Sequence, residues 1–239
     1  MARIRLFIDH HFVPGQPVPL DPAQAHYLSG VMRLKAGDDL RIFNGRDGEW
    51  SATLQDAGKR GGSLLAGDRT APQQDPPDLW LLFAPIKKAR TDFIVEKAAE
   101  MGAARIQPVQ TDHTNSERIR QDRLQAHAVE AAEQCGGTFV PAVADLVPLS
   151  RLLDGWQPER RILWADEARV GPAEALAGLP RGPWAILIGP EGGFSPAERA
   201  CLSRLAFVTP VSLGPRILRA DTAVVAALAL WQASLGDWK

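Results

Sequence analysis

The segment from Trp184 to Leu218 restricts the fold of this chain more than any other. An apolar run, Trp184 to Ile188, passes directly into Gly189-Pro190-Glu191-Gly192-Gly193, and Ser195-Pro196-Ala197-Glu198 follows. A serine three residues ahead of a glutamate, with proline between them at the first helical position, is a capping box, so a strand, a glycine loop and a helix start stand in direct succession. A second apolar run, Phe207 to Leu213, ends in Gly214-Pro215 before the chain turns helical again. Open α/β sheets place their ligands at such strand ends.

The rest of the chain supports that architecture. From Leu79 onward strands and helices alternate: strands at Leu79 to Phe83, Arg105 to Val109, Arg161 to Trp164, Trp184 to Ile188 and Phe207 to Ser212, and helices at Thr91 to Met101 and Ser116 to Cys135. That alternation predicts a mainly parallel sheet covered on both faces. Ahead of it the pattern differs. A strand ends near His10-His11, the cap signature Asp21-Pro22-Ala23-Gln24 opens a short helix with Tyr27, Leu28 and Val31 on its apolar face, and Leu40 to Phe43 and Trp50 to Leu54 flank the hairpin turn Asn44 to Gly48. With a further strand at Ser63 to Ala66, residues 1–70 form a small β-rich domain. Ala71 to Asp78, with its three prolines, is the linker, and 79–239 is the α/β domain. The last helix, from about Asp221 to Leu235, is apolar all round through Val224 to Trp231. It must therefore be covered on more than one side, by its own subunit or by a second one.

Composition removes several function classes. At 45% hydrophobic and 23% charged the 239 residues suit a globular protein, and no apolar run approaches the roughly 18 residues of a membrane span, so the expected location is cytoplasmic. Cys135 and Cys201 stand apart with no paired motif, and no His, Cys or carboxylate set has metal spacing, so neither a disulfide nor a metal is expected. A net charge of −1 argues against nonspecific coating of nucleic acid, although a local basic face remains compatible with it. The Gly189–Gly193 loop lacks the lysine and hydroxyl of a P-loop, and it lacks the GxGxxG spacing of a dinucleotide site. Glu191 inside it would repel a pyrophosphate and suits a ligand that carries positive charge or hydroxyl donors.

The two loops together are far more specific than either alone. IGPEGGFSPAE (Ile188 to Glu198) followed by LGPRILRADTA (Leu213 to Ala223) resembles the paired signature of the SPOUT methyltransferases, in particular the branch acting on small-subunit ribosomal RNA. The resemblance extends through Lys87 to Gly102, EAAEQCG (Glu130 to Gly136) and His26 to Gly45, and so spans nearly the whole chain. It implies an N-terminal β-barrel domain of PUA or OB type for RNA and a C-terminal α/β domain tied in a trefoil knot. It further implies a homodimer, S-adenosylmethionine as methyl donor, and methylation of uridine N3 in 16S ribosomal RNA, with the assembled small subunit a candidate substrate.

Carried onto this chain, the resemblance puts Gly189, Pro190, Glu191 and Gly192 from the first loop, and Leu213, Gly214, Ile217, Leu218 and Arg219 from the second, around the donor. Two positions depart from the family pattern: Asp221 stands where a glutamate is usual, and Gly137 stands where an arginine usually follows the EQCG segment. Uridine N3 must lose a proton as it attacks the methyl carbon, so a cation should offset the developing imide anion. Arg219 is the expected cation, with Arg216 second; a purely structural role for Arg219, capping carbonyls or bridging a dimer, is the other reading. Glu191 is either the base or an orienting group. Phosphate contacts are expected from Arg3, Arg5, Arg33, Lys35, Arg41 and Arg46 in the small domain, and from Lys87, Lys88, Arg90, Arg118, Arg120 and Arg123 in the larger one. A noncatalytic RNA-binding module of the same fold is the alternative function.

Overall fold

The computed structural model describes residues 4–115, 118–166, 176 and 178–238. The chain divides into two compact units, one taking in residues up to Asp75 together with Ala132–Val140, the other Pro76–Ala131 and Pro141–Lys239. The assignment of all of 79–239 to one body therefore differs at Ala132–Val140.

The first unit is a five-stranded sheet in the order β1-β3-β4-β5-β2, made of β1 (Arg5–Phe7), β2 (Pro17–Leu20), β3 (Asp39–Phe43), β4 (Glu49–Gly58) and β5 (Gly61–Ala71). β1 lies parallel to β3 and the other pairings are antiparallel. The β3–β4 turn forms as its residues dictate. Gly45 and Gly48 take φ of +80°, and the Asn44 side-chain oxygen accepts from the Arg46 and Asp47 N–H groups. The short helix α1 (Pro22–His26) starts with the expected capping box: Asp21 accepts from the Gln24 N–H at 2.8 Å and Gln24 Oε1 from the Asp21 N–H at 3.0 Å. It then widens into a π-turn over Tyr27–Val31. A wider turn breaks three-residue spacing, so Leu28 is buried while Val31, expected on the same face, is exposed. Leu6, Phe12, Leu28, Ile42, Trp50 and Leu64 are among the residues that fill this core.

Arg5 is a structural residue rather than a phosphate ligand. Its Nε donates to Glu49 Oε2 at 2.7 Å, Nη1 to the carbonyls of Ala132 and Glu133 at 2.7 and 3.0 Å, and Nη2 to that of Gly137 at 2.8 Å. The guanidinium also lies over the Phe43 ring and is mostly buried. Its donors thus satisfy carbonyls that a helix end leaves without intrahelical partners. Removing it in Arg5→Ala is expected to cost about 1.5–3 kcal/mol, read from chemical denaturation, because charged hydrogen bonds to buried acceptors are lost. Arg3 lies outside the described residues.

The second unit carries a seven-stranded, wholly parallel sheet. Its strands are β6 (Leu79–Phe83), β7 (Arg105–Gln110), β8 (Ala142–Val143), β9 (Val147–Pro148), β10 (Arg161–Ala165), β11 (Trp184–Ile188) and β12 (Val208–Val211). The order is β12-β10-β11-β6-β7-β8, with β9 pairing β7. β11 is buried along its whole length, as a central parallel strand should be, and pairs in register with β6 from Trp184–Leu79 to Ile188–Phe83. The helices are α2 (Lys88–Glu100), α3 (Gln121–Cys135), α4 (Leu149–Asp154), α5 (Pro196–Leu202) and α6 (Ala220–Ser234). The expected start of α3 at Ser116 falls outside the described residues; Arg118 to Arg120 are not helical, and α3 begins at Gln121. α6 buries Val224, Ala227, Leu228 and Trp231, while Val225, Ala226, Ala229 and Leu230 are only partly covered. Among the described residues no helix is long and apolar enough to cross a membrane.

Candidate functional site

Because the sheet is parallel, every strand ends at the same edge, and neighbouring strands bring their loops together there. β10 lies between β11 and β12. The loop after β11 and the loop after β12 therefore stand on either side of the end of β10, and a cavity of about 340 Å³ opens between them. That volume falls at the small end of the roughly 300–1,000 Å³ usual for small-molecule sites.

The first loop is held from below and from one side. Gly189 passes over the Phe194 ring so closely that a Cβ there would stand 2.7 Å from a ring carbon, so this position admits glycine alone. Phe194 in turn meets Trp164 of β10 edge-on, with centroids 5.8 Å apart. Gly193 takes φ of +67° and its N–H closes the turn onto the Pro190 carbonyl at 2.9 Å. The capping box of α5 forms as expected, with Ser195 accepting from the Glu198 N–H and Glu198 from the Ser195 N–H. It is also tied to the loop after β7. The Ser195 hydroxyl donates to the Asp112 carboxylate, the Asp112 N–H donates to Glu198 Oε1, and His113 Nδ1 donates to the Gly192 and Gly193 carbonyls at 3.0 and 3.2 Å.

The second loop turns at Gly214, where φ is +118°, and the Ser212 hydroxyl oxygen accepts the Gly214 N–H. It leaves Ile217 85% exposed at the rim and delivers Arg219 as the N-cap of α6. The Arg219 side chain makes no capping hydrogen bond and is exposed, so the carbonyl-capping reading does not describe it.

Of the residues expected around a donor, Gly189, Pro190, Glu191, Leu213, Gly214, Ile217, Leu218 and Arg219 line the cavity, and Arg216 joins them. Gly192 does not. It faces His113, whose Cβ would lie 3.3 Å from an added Cβ at that position. Sequence reasoning missed Ala165, Asp166, Ala220 and Ala223, all of them on the cavity wall. Asp166 is 5% exposed and pairs with Arg199 at 2.7 Å, and the Arg199 guanidinium lies over Trp164. The signal available for Asp166 was a carboxylate immediately past a strand of a parallel sheet.

Glu191 is not buried against the cavity: its side chain is 47% exposed and ion-paired with Arg90. Arg90 also approaches Asp221 at 3.6 Å, so one guanidinium links the first loop to the first turn of α6. The residue expected to grip RNA is thus committed to bracing the cavity mouth. The pairs are partly exposed and worth at most about 1 kcal/mol, so Arg90→Ala is expected to weaken ligand binding at this cavity about fivefold, with partial recovery in Arg90→Lys, measured by calorimetry.

The other basic candidates differ in availability. Arg33, Lys35, Lys87 and Arg118 are exposed, and Arg33 adopts φ of +58°. Arg41 stands 3.8 Å from Glu49, Arg46 pairs with Asp9 at 2.8 Å, and Arg123 pairs with Asp92 at 2.6 Å. His11 bonds the Asp47 carboxylate at 2.9 Å, and no group able to hold a metal occurs among the described residues.

Two family models match the chain: an RNA methyltransferase domain over residues 73–232 and an RNA methyltransferase PUA domain over residues 20–64. Ribosomal RNA small subunit methyltransferase E of Synechocystis sp. is 33% identical over 234 residues, covering 94% of this chain and 76% of that protein. The crystal structure of a ribosomal RNA small subunit methyltransferase E from Neisseria gonorrhoeae bound to S-adenosyl methionine superposes with a TM-score of 0.87 at 27% identity, covering 99% of this chain and all of that one. A methyltransferase from Legionella pneumophila, in complex with the bound cofactor SAM, gives a TM-score of 0.88 at 28% identity over the same shares.

Proposed function

The chain belongs to the RNA methyltransferase family, in its ribosomal RNA small subunit methyltransferase E branch, and we propose that it methylates uridine N3 in 16S ribosomal RNA with S-adenosylmethionine as donor. The observation that carries the reading is the cavity between the two glycine loops with Arg219 on its wall. The residues there suit this donor. Asp166 and Glu191 offer negative charge to its ammonium and sulfonium groups, and Leu213, Ile217, Leu218 and Ala223 offer apolar surface to its adenine. When bound, S-adenosylmethionine supplies an electrophilic methyl group.

The chain's own residues do the rest. Arg219, exposed and free of a capping bond, offsets the negative charge that builds on the uracil imide as N3 gives up its proton. Glu191, held by Arg90, orients the ligand at the mouth of the cavity. The two glycine loops fix the donor so that attack can run in line. Exposed Arg33 and Lys35 in the first unit and Lys87 and Arg118 in the second contact phosphates. The trefoil threading belongs to the same proposal. So does a cytoplasmic homodimer acting on the small subunit, paired through the partly covered face of α6 (Val225, Ala226, Ala229, Leu230) and the exposed Ile217.

The test is incubation with labelled donor and unmodified small subunits, followed by nucleoside analysis. Label in N3-methyluridine is the expected result, and label in any other nucleoside would overturn the assigned reaction. Donor binding in calorimetry separates the enzyme from a noncatalytic RNA-binding module, which would show none.

A further inference from the structure

A second cavity in the α/β unit, about 320 Å³ in volume, has no part in the donor site. Its rim carries Lys88, Arg118 and Arg120, and its wall includes Ile86, Ile119 and Leu124. Lys88 and Arg118 are exposed, and among the described residues no ion pair occupies either. Arg120 pairs only with Asp122, on side chains that are 76% and 67% exposed, a pairing that solvent makes weak. One carboxylate, Asp92, enters the wall, and it is neutralised by Arg123 at 2.6 Å. The cavity is therefore a cationic mouth over an apolar floor. Ile86 and Leu124 are buried there, and Ile119 is half-buried.

Position gives this chemistry its meaning. The cavity and the donor site share the first turn of α2: Lys88 lines one, and Arg90, two residues on, holds Glu191 at the mouth of the other. One helical turn advances only about 5.4 Å. We propose that this cavity seats a nucleotide flanking the methylated one on the same RNA strand, with its phosphate between Lys88, Arg118 and Arg120 and its base against Ile86, Ile119 and Leu124. A phosphate ester on a flat apolar ring is the ligand whose two halves match a cationic rim and an apolar floor. Single-stranded RNA presents such units with their bases unstacked, and an extruded target leaves its neighbour without a stacking partner. The proposal rests on the RNA substrate argued above and adds a subsite that would set sequence context around the target.

Three proteins test it: the wild type, Ile119→Trp as a plug that leaves charge unaltered, and the double variant Lys88→Glu with Arg118→Glu. Each is measured for donor affinity by calorimetry, for affinity to unmodified small-subunit ribosomal RNA across a salt series, and for methyl transfer. Donor affinity is expected to be equal in all three, which also reports that each is folded. The plug is expected to weaken RNA binding at least tenfold with an unchanged salt slope. The double variant is expected to weaken it and to lower the slope of log affinity against log salt by about 1.4–1.8, the value for two lost phosphate contacts. RNA binding and methylation by the plug variant at wild-type levels would overturn the subsite, and so would an unchanged slope in the double variant. Saturable binding of uridine monophosphate at micromolar concentration, lost in the plug variant, would reassign the cavity to a free nucleotide. A wild type that neither binds nor methylates the RNA would instead remove the proposed function itself, so the two failures are distinguishable.

Discussion

Arg219→Ala is expected to lower turnover about 100- to 1,000-fold while leaving S-adenosylmethionine affinity within a few-fold of wild type, a range set by the loss of one well-placed donor to a developing anion. The argument is positional. Arg219 ends the loop after β12, its backbone accepts the Ala223 N–H at the start of α6, and its side chain makes no capping bond. Truncation therefore removes a guanidinium from the cavity wall without removing a support of the fold. Arg219→Lys should recover only part of the loss, because a point charge cannot reproduce a planar fork of donors. Single-turnover rates beside donor titrations make the measurement, and near-normal turnover in Arg219→Ala would transfer the role to Arg216.

Phe194→Ala is expected to be the most damaging change to stability near the site, at about 3–5 kcal/mol. Phe194 is 4% exposed, meets Trp164 edge-on, and carries Gly189 on its ring face. Its loss leaves a void between β10 and the first glycine loop, so donor affinity should fall together with the melting temperature. Phe194→Leu should retain most of the stability but less of the binding, since it fills volume without offering a flat surface to Gly189. Scanning calorimetry with and without donor separates the two quantities.

Local chemistry was readable wherever it was self-contained. β11 begins and ends where its apolar run does, the capping boxes at Asp21 and Ser195 form from the residues that predicted them, and Gly102 closes α2 with φ of +77°. What could not be read was the order of strands within the sheet. Nothing in the sequence says that β10 lies between β11 and β12, and Asp166 enters the cavity for that reason alone. Long side chains were the second source of error. Arg5 and Arg90 look like any surface arginine in a string of letters, but each reaches residues more than a hundred positions away, Arg5 to the end of α3 and Arg90 to Glu191. Gly192 was assigned with its glycine neighbours, yet the loop twists it toward His113.

The interposed strand also ties binding to folding. The cavity wall is drawn from the ends of β10, β11 and β12, three segments that adjoin only once the parallel sheet has assembled. Parallel pairings between distant segments form slowly, because loop closure is opposed by entropy before contacts reward it. A ligand that touches all three ends acts as a reversible cross-link across the sheet. At a hundred times its dissociation constant it would add about 2.7 kcal/mol to the folded state. Cellular donor concentration would then govern how long this protein survives proteolysis as well as how fast it works.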